Sequence, residues 1–276
     1  DECHRGLYNG KGYAYALDYF DGIELGLTAT PHKKTLQRYN GNYVYDFTYE
    51  DALDKNLVVP FIPHRIKTKI TMDGVHHDGE KYNPEQLGRD VIVQDTNRKV
   101  ALELLKYVDV DEELTLVFAQ NIAHAEQIAA DFKETYRKHT DIEKLDELIK
   151  VISSQHRHSE QTLEEFKKPR RNPKIAVTVD MVSTGVDVKP LNNLVFLRVI
   201  KSKILYNQMM GRGTRTYDGK RHFRVFDCVG ILDYYDDTPP FDTPEVQYKS
   251  SSTSDDTSPP TGNPEVVSDR DIDEII

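Results

Sequence analysis

Two cysteines in 276 residues, Cys3 and Cys228, exclude a disulfide framework and a four-ligand zinc site. No run of about 18 apolar residues exists to cross a membrane, and a reducing, cytoplasmic setting is the expectation. The formal charge of −10 is concentrated at one end: residues 236–276 hold 11 acidic and 2 basic side chains, which leaves residues 1–235 at −1, so the acidity does not exclude a nucleic-acid partner.

The chain opens on Asp1–Glu2–Cys3–His4–Arg5. Adjacent carboxylates can divide labour, the first holding a magnesium ion and the second orienting and deprotonating a water; an acidic pair near a terminus can equally be solvated. Such a pair normally ends a strand, so the chain is expected to begin inside a domain. A helical pattern covers residues 13–22. Ile23–Leu27 reads as a buried strand ending in Thr28–Ala29–Thr30–Pro31, whose hydroxyls are placed to hydrogen-bond a neighbouring loop. A short strand over Tyr43–Phe47 and a helix over Glu50–Asn56 follow. Phe61–Ile70 alternates loosely, as a strand or a linker between lobes. Residues 71–89 lack periodicity and read as an exposed loop, with His76–His77–Asp78 facing solvent.

From residue 90 onwards strand and helix alternate. The spacing of Val93, Val100, Leu104, Leu105 and Val108 predicts a helix over Asp90–Val108. Leu114–Ala119 is a buried strand, and Asn121 can cap the next helix. In that helix Ile122, Ala125, Ile128, Ala129, Phe132 and Tyr136 form a core-facing stripe. A strand over Leu148–Ser153, a polar loop at Ser154–His158 and a helix over Ser159–Lys168 come next. Ile175–Val179 and Asn193–Val199 are short and rich in Val, Ile and Leu, as strands buried on both faces of a parallel sheet are. The loop Ser183–Thr184–Gly185–Val186–Asp187 lies between them. A helix over Lys203–Met210 leads into Gly211–Arg212–Gly213–Thr214–Arg215, and a last strand covers His222–Val229. The alternation predicts an α/β fold, a mostly parallel sheet flanked by helices, with ligand residues at the carboxyl ends of the strands.

Arg212 and Arg215, with Gln208 upstream, can reach a phosphate. The guanidinium keeps its charge and presents a planar fork of donors, which suits the charge that builds on a transferred phosphoryl group. Their other reading is a basic helix end that complements the macrodipole.

In order, these pieces resemble the motor of a superfamily 2 helicase or translocase. Asp1–Glu2–Cys3–His4 is similar to the DEAD/DEAH-box Walker B motif, and Thr28–Ala29–Thr30 to the Ser/Thr-Ala-Thr motif. Leu116–Ala119, with His124 and Ala125, is similar to the start of the second RecA-like lobe. Ser183–Asp187 resembles the fifth motif and Gln208–Arg215 the sixth. Within that superfamily, residues 1–245 resemble the restriction subunit of type I restriction-modification enzymes, through Asp-Glu-Cys-His-Arg, the Thr-Gly-Val-Asp loop followed by Asn-Leu-Val-Phe, and Gln-x-x-Gly-Arg-Gly-Thr-Arg.

The resemblance implies an ATP-dependent duplex-DNA translocase that works with methyltransferase and specificity subunits and uses ATP and Mg2+. Asp1 holds Mg-ATP and Glu2 activates water; His4, Thr28 and Thr30 couple nucleotide state to the DNA track. Gly185 and Asp187 meet nucleotide, Gln208 lies near the γ-phosphate, and Arg212 and Arg215 stabilise its transition state. Asn121 and Thr178 are candidate DNA-backbone contacts. Residues 1–60 correspond to the C-terminal part of a first RecA-like lobe, 61–89 to a linker and 90–235 to the second lobe. Residues 236–276, with six of the 13 prolines, read as an acidic, disordered tail. No Gly-x-x-x-x-Gly-Lys-Ser/Thr loop is present, nor the family's nuclease domain, so the chain alone is expected neither to cleave DNA nor to turn over ATP. The alternatives are another superfamily 2 DNA or RNA helicase and a non-catalytic nucleic-acid-binding module of the same fold.

Overall fold

The computed structural model describes Cys3 and residues 13–19, 21–28, 33–41, 43–66, 75–77, 80–83, 86, 87, 90–153, 155–179, 187–235, 265–267 and 274–275. In chain order the elements are α1 (Tyr13–Tyr19), α2 (Lys33–Arg38), α3 (Tyr49–Asp54), β1 (Phe61–Arg65), β2 (Val75–His77), β3 (Glu80–Tyr82), β4 (Val91–Val93) and α4 (Gln94–Tyr107). There follow β5 (Leu114–Phe118), α5 (Ile122–His139), α6 (Leu145–Leu148), β6 (Ile149–Ile152), α7 (Ser159–Phe166), β7 (Ile175–Thr178) and β8 (Leu191–Phe196). Last come α8 (Lys203–Met210), β9 (Phe223–Asp227), α9 (Ile231–Tyr234), β10 (Glu265–Val267) and β11 (Glu274–Ile275).

Six strands form one all-parallel sheet in the order β1-β9-β8-β5-β7-β6. The continuous apolar runs of β5 and β7 are buried at every position. Their side chains alternate between two cores, because strand residues point to opposite faces in turn. Leu114, Leu116 and Phe118 join α7, α8 and α9 on one face through Phe166, Tyr206, Met210 and Leu232. Val117 and Ala119 join α4, α5 and α6 on the other through Leu104, Ile128, Phe132 and Leu145. Burying each such Leu or Phe contributes roughly 1.5–3 kcal/mol, so both faces of the sheet are closed by helices as the alternation predicts.

The differences from the sequence reading are local. Phe61–Arg65 is the edge strand of the six-stranded sheet, paired with β9, so the region read as a linker begins with a strand of that sheet. An edge strand is only half-covered and tolerates Pro63, which explains its weak pattern. The helix expected from Asp90 starts at Gln94, after the buried strand Val91–Val93. Part of the expected loop 71–89 is a β2–β3 hairpin carrying His76 and His77. Two segments of the expected unstructured tail are strands: Glu265–Val267 pairs with β4 and Glu274–Ile275 with β2, both using β-branched residues that favour extended backbone. Ile23–Leu27 is not a buried strand. Ile23, Leu25 and Leu27 are exposed, and the backbone bond seen there is Cys3 N–H to Leu27 O at 3.0 Å. Tyr43–Phe47 likewise forms no strand.

Candidate nucleotide wall and nucleic-acid edge

The arginine segment is built by the end of α8. Ser202 caps the helix, accepting from Leu205 N–H at 3.3 Å. Its apolar side, Tyr206, Met209 and Met210, is buried against the sheet. Tight turns then carry the chain on: Gly211 N–H reaches Asn207 O at 2.8 Å, Arg212 N–H reaches Met209 O at 3.1 Å and Gly213 N–H reaches Met210 O at 2.9 Å. Thr214 Oγ1 donates back to Gly211 O at 3.2 Å. Gly213 stands close against the Phe223 ring, where a Cβ would come 2.3 Å from ring carbon Cδ2. Glycine is required there by close approach, with no left-handed backbone involved.

Four contacts fix where this segment stands. Val59 N–H donates to Thr214 O at 2.7 Å, and Val58 pairs with Arg215 as an antiparallel bridge. Phe223 N–H donates to Pro60 O at 3.1 Å. Arg215 Nη1 forms an ion pair with Asp187 Oδ1, and both side chains are partly exposed. Residues 58–60, 187–189 and 223 all stand at the start of parallel strands, so Arg215 and Asp187 meet at the amino ends of β1, β8 and β9. The expectation that every ligand loop gathers at the carboxyl ends is therefore corrected: a loop that follows a helix returns to the opposite edge. Gln208 and Arg212 are half-buried on the same helix end and turn.

The carboxyl edge carries a different set. Asn121 Oδ1 accepts from His124 N–H at 2.8 Å, the cap the sequence predicts. His124 is buried, and its Nδ1 accepts from Gln120 N–H at 3.3 Å. Desolvation lowers its pKa to about 3, so it stays neutral. After β6, Ser153 Oγ and His156 Nδ1 lie 2.6 Å apart, and His156 Nε2 is 3.4 Å from Glu126. Arg198, past the end of β8, donates to Val179 O at 3.0 Å. Thr178 is fully buried as the last residue of β7. Its hydroxyl has no solvent face in this structure.

Asp1, Glu2, His4 and Thr30 of the first segment, and Gly185 of the loop before β8, lie outside the described residues. Thr28 is half-buried and follows the Leu27 carbonyl that Cys3 reaches. Arg38 ties this part together, donating to both carboxylate oxygens of Glu24 at 2.9 and 2.6 Å and to Asp18 at 2.9 Å. The guanidinium holds the Glu24 carboxyl below its usual range. Among the described residues no group of three His, Cys, Asp or Glu is placed to hold a metal.

Residues 98–217, from α4 through the arginine segment, match the helicase conserved C-terminal domain. The chain is 31% identical over 275 residues to the type I restriction enzyme EcoKI endonuclease subunit of Escherichia coli K12, covering 84% of this chain and 23% of that protein. It is 26% identical over 259 residues to the EcoAI endonuclease subunit of Escherichia coli, covering 86% and 32%. The chain is homologous to type I restriction endonuclease subunits. A solved fragment described as an HsdR subunit of a type I restriction enzyme, from Vibrio vulnificus YJ016, superposes with a TM-score of 0.68 at 25% identity, over 87% of this chain and 45% of that one. The parallel sheet with helices on both faces is thus a RecA-like helicase fold. The chain spans 23% and 32% of the length of the two curated relatives. Among the described residues no helix is long and apolar enough to cross a membrane.

Two side chains that organise the homologous domain were not singled out from sequence. Asp227 is buried at the end of β9 and accepts from Val229, Ile231 and Leu232 N–H at 3.1, 3.0 and 2.9 Å, holding the start of α9. Gly230, at φ 75°, makes the turn that aims these donors; an Asp three residues before a Gly at a strand end was the available signal. Lys220, just beyond the matched segment, has its Nζ 2.8 Å from Gly213 O. No motif marks it.

Proposed function

We propose that this chain is the nucleotide-sensing part of an ATP-driven duplex-DNA translocase motor within a type I restriction endonuclease subunit. The observation that carries the reading is the meeting of Asp187 and Arg215. Two motifs 28 positions apart converge on one charged wall, and the chain enters the sheet along that wall through Val58–Val59.

The donor set of this wall fits a polyphosphate. Arg215 already holds one anion, the Asp187 carboxylate, and an incoming phosphate oxygen has the charge to compete for it. Arg212 and Arg215 stabilise charge on the γ-phosphate, Gln208 orients beside them, and Gly185 and Asp187 read the nucleotide's presence. Asp1 would hold the magnesium ion that arrives with ATP, and Glu2 would act as the base toward the attacking water. His4, Thr28 and Thr30 pass nucleotide state to the DNA track. When bound, Mg-ATP supplies the phosphoryl group and a counter-charge to it. The backbone bridge from Val59 to Thr214 makes the segment entering the sheet move with the arginines, so closure of the wall is felt along the chain.

The DNA track is assigned to the carboxyl edge, at Asn121 and the Ser153–His158 loop, with phosphates as the main ligands. Asn121 serves there through its helix N-terminus, since its side chain is committed to the cap. Residues 1–60 belong to a first lobe, 90–235 to the second. Methyltransferase and specificity subunits are the partners, in the cytoplasm. The test is ATP hydrolysis by the complete subunit with and without duplex DNA. Stimulation by duplex supports the reading. Equal stimulation by single-stranded RNA favours an RNA helicase, and no hydrolysis under any condition favours the non-catalytic binding module.

A further inference from the structure

Lys220 lies in the loop between α8 and β9, and its side chain turns inward. Nζ donates to Gly213 O at 2.8 Å and to Lys189 O at 3.3 Å. Gly213 is the first of the two residues between the arginines, and Lys189 stands two residues after Asp187. One ammonium therefore bridges the backbones of the two segments whose side chains meet as Asp187 and Arg215. Lys220 Nζ lies over the Phe223 ring, 5.9 Å from its centroid, and this is the ring that Gly213 approaches too closely to carry a Cβ. The arginine turn is thus held on three sides: Phe223 beneath Gly213, Lys220 on the Gly213 carbonyl, and Val59 N–H on the Thr214 carbonyl at 2.7 Å.

The placement is electrostatically costly. Lys220 is half-buried and stands near Arg215, and these two effects, burial first, lower its pKa to about 8. A methionine or leucine would fill the same space without that penalty, but neither can donate to two carbonyls. The polar contacts are the feature that only a lysine or arginine supplies here.

We propose that Lys220 is a positioning residue for Arg212 and Arg215, fixing the peptide between them so that both guanidiniums face the nucleotide. The assignment rests on reading those arginines as the nucleotide-facing pair. A group that stabilises a transition state must be held within about 0.5 Å of its productive place, and a misplacement of about 1 Å can cost around a hundredfold in rate. Lys220 acts through the backbone and does not touch phosphate, so its loss should affect the transition state and not ground-state binding.

The experiment measures duplex-stimulated ATP turnover of the complete subunit carrying Lys220→Met, Lys220→Arg, Arg212→Ala or Arg215→Ala, with thermal melting of each. For Lys220→Met the expected result is a fall in kcat of about tenfold or more, with KM for ATP within about twofold of wild type and an unchanged melting temperature. Lys220→Arg, which can still donate to both carbonyls, should recover part of the loss. Unchanged kcat in Lys220→Met overturns the proposal. A rise in KM as large as the fall in kcat also overturns it, because Lys220 would then be a phosphate ligand. A fall in kcat that tracks a lower melting temperature and is not recovered by arginine overturns it as a purely structural effect. Should Arg212→Ala and Arg215→Ala both leave kcat unchanged, the arginine reading itself fails. If they lower kcat and Lys220→Met does not, only the Lys220 assignment fails.

Discussion

Asp131 sits where α5 packs on α4, 1% exposed. Its carboxylate accepts from Asn97 Nδ2 at 2.8 Å and Gln127 Nε2 at 2.9 Å. Arg98 and Glu134 are the charged groups that face it, and Arg98 is already paired with Asp95 and Glu134 at 3.0 Å each. Desolvation dominates and raises the Asp131 pKa from 3.8 to about 6, against the opposing hydrogen bonds from Asn97 and Gln127. A carboxyl whose folded pKa is raised binds its proton more tightly in the folded state. Its contribution is fully present below about pH 3.8 and is lost as pH rises through about 6. At 1.36 kcal/mol per pKa unit, the shift corresponds to about 3 kcal/mol of stability forgone at neutral pH. Asp131→Asn removes the charge and keeps the shape. The substituted amide's oxygen can still accept from Asn97, and Gln127 can turn its own amide to accept from the new NH2. At pH 7.5 the variant should be more stable by up to about 3 kcal/mol, several degrees in Tm for a chain of this size. The gain should shrink steadily below pH 6 and vanish near pH 4. Urea denaturation of both proteins from pH 4 to 8 gives the difference curve, which cancels the other carboxylates. A flat difference curve, or an Asp131→Asn variant less stable at pH 7.5, would refute the assignment of a costly buried charge.

Gly213→Ala forces a methyl into the Phe223 ring at 2.3 Å and should cost about 1–3 kcal/mol by urea denaturation, with turnover of the complete subunit lost at the same time. Asn121→Ala removes the cap on α5 and should cost about 1 kcal/mol; duplex affinity by fluorescence anisotropy should change little, because the side chain is already committed to His124 N–H. Duplex affinity of the complete subunit should fall linearly on a log–log plot against salt, with a slope of about −0.9 for each phosphate contacted; a salt-independent affinity would remove the phosphate track from the account.

The central strands were legible because their burial is written in consecutive Val, Ile, Leu and Phe residues. Lys203–Met210 was legible to the residue, and so was the Asn121 cap. What failed depends on neighbours. Ile23–Leu27 has the composition of a buried strand, but composition does not say what lies beside it, and its side chains are exposed. Phe61–Arg65 stayed open between strand and linker because an edge strand can carry Pro63 and polar residues. For the site, the residue types were readable and their edge was not: in a parallel sheet, loops after strands and loops after helices lie at opposite ends, which separates Arg215 from Asn121. Thr178 looked exposed at a strand terminus, and it is buried. Lys220 makes its contacts to carbonyl groups 7 and 31 positions away, and a carbonyl leaves no mark in a sequence.

The central claim is that Arg212 and Arg215 face the nucleotide of a DNA-stimulated motor. It is tested most directly by duplex-stimulated ATP turnover of the complete subunit with Arg212→Lys and with Arg215→Lys, which keep the charge but lose the planar fork. The account predicts a kcat lower by about a thousandfold in at least one variant, with duplex binding unchanged in both. Turnover within a few fold of wild type in both would contradict it.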